Sequence, residues 1–301
     1  MVTAALRAWG LEHAQVLSAR QSFNLVAHVR VGEQELGLRL APAVHVYPHG
    51  SAEAERSLLE HLAAVGCRVP RVHAAPDGSS SVVVDLPHGP RACMLLDWVP
   101  GEDVRRPVSD GDATDLGRLS ATLHRCAPEA DLPPAGTLDG RRVLTFRVPD
   151  RIDEAGTQAP LLRAAHAAAQ QGLDEVWRSV RGPAPLLHGD LTPANLVRSP
   201  EGTLVPIDFQ DVLWGHPAVD VAITLVRIAR DDVADGGARC EAFRAGYEAV
   251  RTWPLEPAWE PHLRAARSVN LANLALTMRA PGFEDNLEMH LRALRPYVEA
   301  L

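Results

Sequence analysis

The apolar pattern of this chain changes period at Pro100-Gly101, and that change limits its fold more than any other feature. Before the break, residues alternate. Leu25, Ala27, Val29 and Val31 share one face of residues 25–31, with His28 and Arg30 on the other. After a Gly32-Glu33 turn, Leu36, Leu38 and Leu40 oppose Glu35, Gly37 and Arg39. The two runs predict a hairpin with one buried face. Residues 51–65 read as a helix: Ser51 can cap it, Glu53 and Glu55 lie in its first turn, and Ala54, Leu58, Leu62 and Val65 form a stripe. Gly66 ends it, and strands are expected at 81–86 and 92–99. Beyond the break, Leu116, Leu119 and Leu123 recur at helical spacing within 110–126. Residues 159–180 are Ala- and Leu-rich, and further helices are expected from about 217, 237, 257 and 283. Residues 133–134 and 148–158 read as loops. The prediction is an α+β, two-lobed chain: an antiparallel sheet with one helix over 1–100, and a mostly helical lobe over 101–301.

Composition excludes several classes. The 301 residues are 46% hydrophobic and 23% charged, as in packed globular proteins. Thirty basic against 38 acidic residues leave a formal charge of −8, which argues against nucleic acid as a partner. Cys67, Cys93, Cys126 and Cys240 show no C-x-x-C spacing and read as small buried hydrophobes rather than thiolate metal ligands. The first residues lack a basic stretch followed by an apolar core, and Asp97 and Asp220 interrupt the best apolar runs. No signal peptide and no membrane partner are expected, and the cytoplasm is the expected location. The sequence leaves oligomeric state open.

One non-helical island, residues 186–209, carries the chemistry. Its segment His188-Gly189-Asp190-Leu191-Thr192-Pro193-Ala194-Asn195-Leu196 sets an Asn five residues after an Asp. Short strands are expected at 195–198 and 203–209, joined by the turn-rich 199–202. The second carries Ile207-Asp208-Phe209, thirteen residues from Asn195 to Asp208. A tight loop followed by a hairpin return would gather Asp190, Asn195 and Asp208. Phosphoryl transfer from ATP needs that set: a carboxylate to orient a hydroxyl and take its proton, and hard oxygen ligands for Mg²⁺. The Asp-to-Asn spacing matches the H-R-D-x-x-x-x-N loop of protein kinases.

The island resembles the catalytic loop and metal-binding strand of the aminoglycoside phosphotransferase and choline kinase superfamily, small-molecule kinases with a protein-kinase-like fold. The resemblance extends along most of the chain. Glu55 to Leu62, followed by Val69-Pro70-Arg71-Val72, is similar to that family's first-lobe helix and next strand. Met94 to Gly101 is similar to its interlobe hinge, and Leu123-His124 is another family-like pair. Asp208-Phe209-Gln210-Asp211, with Trp214-Gly215 and Asp220-Val221-Ala222, looks most like the branch of stress-response Ser/Thr kinases and type II homoserine kinases. The resemblance implies Asp190 as catalytic base and Asn195 and Asp208 as Mg²⁺ ligands. It implies the main chain of Asp97 and Val99 against adenine, and Glu55 paired with a basic residue that reaches the ATP phosphates. Two departures stand out. Arg39 occupies the place of the expected Lys, keeping charge while changing geometry. The nucleotide-covering segment 18–24 holds no Gly, so phosphate contacts there fall to Ser22, Asn24 or backbone N–H groups.

The resemblance leaves the acceptor open: an amino alcohol, homoserine, an aminoglycoside or a protein Ser/Thr hydroxyl. Two other functions compete. One is a nucleotide-binding regulator that has lost catalysis, suggested by Arg39 and the Gly-free segment. The other is a metal-dependent phosphohydrolase built on His188, Asp190, Asp208 and His216. Other residues have structural readings: His188 as a loop support, Asp220 as a brace or cap, His124 as helix packing, Trp98 and Trp214 as core or rim aromatics. Asn270, Asn273 and Arg279 are candidates to line an acceptor pocket.

Overall fold

The computed structural model describes residues 1–87, 89–104, 106–231 and 235–301. It opens with helix α1 (Val2–Ala8), followed by strands β1 (Gln15–Gln21), β2 (Leu25–Val31) and β3 (Gln34–Leu40). Helix α2 (Ser51–Ala64) precedes β4 (Val82–Val84) and β5 (Arg91–Asp97). These strands form one antiparallel sheet in the order β1-β2-β3-β5-β4. The predicted hairpin is present, with Leu25 opposite Leu40 and Ala27 opposite Leu38. The alternation has the expected result: Leu25, Ala27, Val29, Leu36, Leu38 and Leu40 are all buried in one cluster. Each Leu withdrawn from water there contributes roughly 2 kcal/mol.

What covers that cluster was not foreseen. Ala5, Leu6 and Trp9, from α1 and its end, pack onto it. The opposite face of the sheet presents Arg39, Met94 and Leu96. There Met94 and Leu96 join Leu58, Leu59 and Leu62 of α2 in the main core. The start of α2 also differs from expectation. Ser51 is its first helical residue, and Gly50, left-handed at φ 85°, precedes it without a side-chain cap.

Strand β6 (Glu102–Asp103) follows, then α3 (Asp110–Cys126), capped by a Ser109–Asp112 capping box. Strands β7 (Glu129–Ala130) and β8 (Leu138–Asp139) precede α4 (Ala159–Ser179). The span expected as a loop contains a 3₁₀ turn at Ile152–Gln158. Strand β9 (Ala184–Leu187) leads into the island, whose β10 (Leu196–Arg198) and β11 (Leu204–Pro206) are the predicted hairpin in shortened form. β12 (Leu213–Trp214) and helices α5 (Pro217–Asp231), α6 (Gly236–Glu248), α7 (Glu260–Met278) and α8 (Phe283–Glu299) complete the chain. β6 adds to the edge of the hairpin, pairing Glu102 with Arg198 and Asp103 with Val197. Gly101 makes that approach possible: its φ is +142°, and a Cβ there would lie 2.2 Å from the Arg198 carbonyl oxygen. Leu116, Leu162, Leu173, Val221, Phe243, Tyr247 and Val269 anchor the helical core. Among the described residues, no helix is long and apolar enough to cross a membrane. Together these elements are an α+β bilobal kinase-like fold.

Candidate active site

The island is held in place by groups beneath it. The Gly189 amide donates to Asp220 Oδ1 at 3.0 Å. Asp220 Oδ2 lies 3.1 Å from His124 Nε2, and His124 Nδ1 lies 2.9 Å from the Tyr247 hydroxyl. With the proton on Nε2, His124 donates to Asp220 and accepts from Tyr247. Burial works against the Asp220 charge, but His124, His188 and the Gly189 amide outweigh it and hold the carboxyl below its ordinary range. Thr224 Oγ1 donates to the Leu191 carbonyl at 2.6 Å. His188 is buried and reaches the Ile207 carbonyl at 3.1 Å through Nε2. Asp220 and His188 are thus supports, as the sequence suggested, while His124, expected only to pack between helices, is part of the brace.

Gly189 lets the loop close over the segment after β11. Its φ is +79°, and a Cβ there would sit 2.0 Å from the Asp211 carbonyl oxygen. Residues Pro193–Asn195 then form a single 3₁₀ turn, which points Asn195 back. Its Nδ2 donates to both the Asp190 carbonyl and Asp190 Oδ2, each at 2.9 Å. The Ile207 amide donates to the Asn195 carbonyl at 3.0 Å, extending the hairpin ladder and bringing Asp208 to the end where Asn195 sits. Asp208 has φ 62° and ψ 60°, a left-handed conformation that costs a non-glycine residue energy and recurs at functional sites.

Three side chains from the sheet lobe grip residues 208–211. Arg39 donates to Glu55 Oε1 at 2.9 Å and also to Glu55 Oε2, and its Nη1 donates to Asp208 Oδ1 at 3.0 Å. Burial opposes the Arg39 charge, but Glu55 and Asp208 outweigh it and raise its pKa, so the guanidinium stays charged. The Tyr47 hydroxyl donates to Asp211 Oδ1 at 2.7 Å. Asn24 Nδ2 donates to Gln210 Oε1 at 2.9 Å. Asn24 is buried, and its amide nitrogen faces the other lobe, whereas Ser22 is exposed in the turn. Residues 18–21 of the expected covering loop belong to β1.

Arg267, on α7, places Nη2 2.6 Å from Asp190 Oδ1. Desolvation pushes the Asp190 carboxyl above its usual range; Arg267 and His188 oppose this and Asp208 adds to it. Burial, with Asp190 adding to it, pushes Asp211 up to about 7, against the pull of Arg267. Tyr47 and Arg267 carried no local signal and meet Asp211 and Asp190 only through the fold. At the far end of β5, the Asp97 amide donates to the Arg71 carbonyl at 2.9 Å, and Asp97 Oδ1 accepts from His73 Nε2 at 2.7 Å. Val99 follows, half-buried. His216 sits apart from the set, packing edge-on to Trp259. Asn270 and Asn273 hold the backbone at Thr145 and Arg151, and Arg279 pairs with Glu154 at the surface.

Residues 13–261 match the model of the phosphotransferase enzyme family. The chain belongs to that family. A homoserine kinase from Xanthobacter autotrophicus is 33% identical over 218 residues, covering 71% of this chain and 64% of that protein. The chain spans only 62% and 64% of the length of the two curated relatives it matches. Among solved structures, a microcompartment-associated aminopropanol kinase superposes with a TM-score of 0.72 at 23% identity, covering 99% of this chain and 94% of that one. The amicoumacin kinase hAmiN, in complex with AMP-PNP, Ca²⁺ and Ami, superposes with a TM-score of 0.66 at 16% identity, covering 96% and 89%. These superpositions establish the shared fold.

Proposed function

We propose that the protein transfers the γ-phosphoryl group of ATP to a hydroxyl of a small molecule, with Asp190 as base. The observation that carries this reading is the gathering of Asp190, Asn195 and Asp208 at one end of the β10–β11 hairpin, with Arg39–Glu55 tied to the same carboxylate. Family membership supports it, as does the homoserine kinase relative.

The donor set fits Mg²⁺. Asn195 turns its amide nitrogen to Asp190, so its oxygen is the group offered to a cation, and Asp208 offers a carboxylate that is 31% exposed. Among the described residues, no three His, Cys, Asp or Glu side chains cluster to cage a metal. That suits an ion held by two side chains together with phosphate oxygens and water. Mg²⁺ bound there would neutralise charge on the phosphates. Arg39, held charged by Glu55, would reach toward the same phosphates. The Asp97 carbonyl and the Val99 amide would meet adenine at the junction between lobes 1–100 and 101–301. Ser22 would contact phosphate, and Asn24 would steady its turn through Gln210.

The acceptor hydroxyl would lie against Asp190. As its oxygen bonds to the γ-phosphorus, the bond from that phosphorus to the β–γ bridging oxygen breaks and ADP departs. Asp190 takes the hydroxyl proton; desolvation, which strengthens it as a base, favours that role. Incubation with γ-labelled ATP, Mg²⁺ and a panel of amino alcohols, hydroxy amino acids, aminoglycosides and a Ser/Thr peptide tests the reading. Label on one small-molecule class supports it, and label on the peptide alone moves it to a protein kinase. Tight ATP binding without transfer to any acceptor replaces it with a nucleotide-binding regulator.

A further inference from the structure

We infer that Arg267 recognises the acceptor, and that the acceptor carries a carboxylate on the same small molecule as its reacting hydroxyl. The inference rests on the kinase reading above and narrows it to hydroxy acids and hydroxy amino acids.

The geometry starts at the base. Asp190 has a donor on each carboxylate oxygen: Asn195 Nδ2 on Oδ2 at 2.9 Å and Arg267 Nη2 on Oδ1 at 2.6 Å. Each of these donors favours the charged carboxylate and so weakens it as a base, and the Arg267 bond does so most because it carries a full charge. Asn195 is committed to the loop, so Arg267 is the partner that can be exchanged. Its side chain is only 11% exposed, and its Nη1 stops 4.0 Å short of Asp211 Oδ2. Among the described residues, no second hydrogen bond holds the fork. A buried guanidinium with one strong contact and spare donors is suited to a second oxyanion. An acceptor carboxylate would take that place, draw Arg267 away from Oδ1 and leave Oδ1 facing the acceptor hydroxyl. Binding the correct acceptor would thereby release the base.

At the open side of the Arg267 fork, the local charge suits a single anion. Arg230 on α5 is half-buried and close enough to Arg267 and Asp190 to feel both. His290 on α8 is buried, and its proton affinity falls first through burial and then through Arg230 and Arg267. His290 therefore stays neutral, and the charged groups beside Arg267 on this side are Arg230, with Asp231 next to it, and Asp190 itself. A cationic group placed against that guanidinium would meet repulsion. A phosphate dianion would add charge beside a triphosphate and three aspartates, whereas a carboxylate adds a single negative charge opposite the guanidinium.

Matched acceptors differing only by the carboxylate test the inference. Homoserine is compared with 3-aminopropan-1-ol, and threonine with 1-aminopropan-2-ol, by kcat/KM with ATP and Mg²⁺. The wild type should favour the acid in at least one pair by about 10- to 100-fold, the worth of one charge-assisted contact. Arg267→Gln, shown folded by its melting curve, should bring that ratio close to one, and Arg267→Lys should restore part of it. Equal or better use of the amino alcohols by the wild type overturns the inference and leaves the kinase reading intact. So does an unchanged ratio in Arg267→Gln. If that variant fails to fold, the wild-type ratio alone decides. ATP binding without transfer to any of the four also overturns the hydroxy-acid assignment, while absence of ATP binding removes the kinase reading itself.

Discussion

Arg39 donates to Asp208 at 3.0 Å, joining the third strand of the sheet to the segment just past the β10–β11 hairpin. The same guanidinium spans both oxygens of Glu55, so one side chain joins the sheet, helix α2 and the hairpin loop. Arg39→Met would leave the Glu55 charge buried and unpaired, at a cost of about 3–5 kcal/mol. Arg39→Lys keeps the charge and loses the fork. We expect a much lower Tm for the Met variant, and for the Lys variant a near-native Tm with a KM for ATP raised roughly tenfold. Thermal melts and ATP titrations decide. A Met variant as stable as wild type contradicts this account of the ion pair.

The loop also depends on a residue without a side chain. Gly189→Ala places a methyl 2.0 Å from the Asp211 carbonyl oxygen and strains a backbone at φ +79°. The expected loss is at least about 2 kcal/mol in stability, with lower kcat because Asp190 is displaced. Urea unfolding alongside turnover checks both, and a variant with native stability would show that the two segments do not pack as described.

Asp220 acts from underneath. Asp220→Ala removes the acceptor of the Gly189 amide and the partner of His124, leaving both buried. The expected cost is on the order of 3 kcal/mol. In whatever fraction remains folded, kcat should fall more than the KM for ATP rises, because the brace acts on Asp190 rather than on nucleotide. A KM effect alone would place Asp220 elsewhere in the mechanism.

Two histidines largely withdrawn from water, His290 buried and His216 half-buried, should make the fold sensitive to acid. Burial, then His124 and Arg251, brings His216 down to about 4; burial, then Arg230 and Arg267, does the same to His290. From an ordinary value of 6.5 down to about 4, the unfolded chain takes up protons that the folded chain refuses. Stability therefore falls as pH drops through that window and is unaffected by these groups above it. The upper limit is on the order of 3 kcal/mol for each group. Urea midpoints at pH 7.5, 5.5 and 4.5 measure the slope, and His290→Leu should flatten it. A wild type with equal stability at all three values contradicts the desolvation of these rings.

The legible parts of this fold and site were those set by local pattern. Leu36, Leu38 and Leu40 declare their face by alternation, and the spacing of Asp190, Asn195 and Asp208 follows from one loop and one hairpin. Strand β1 was missed because its pattern is not periodic. It lies at the sheet edge, nearly all exposed, and its register shifts between Val16 and Ser18. Helix α1 has only 7 residues, too few for a stripe to be read. Arg267 and Tyr47 were silent for another reason. They meet Asp190 and Asp211 across 77 and 164 residues of chain, and no local spacing encodes such a contact. The Ser51 cap failed because Gly50, in a left-handed conformation, starts the helix in its place.

The most direct test of the central claim is phosphoryl transfer by Asp190→Asn, measured against ATP affinity in the same preparation. The substitution preserves shape and removes the carboxylate that would take the acceptor proton. The account predicts kcat lower by about 10²- to 10⁴-fold, with the Kd for Mg²⁺-ATP within a few-fold of wild type. Transfer at the wild-type rate in a variant that still binds ATP would contradict it.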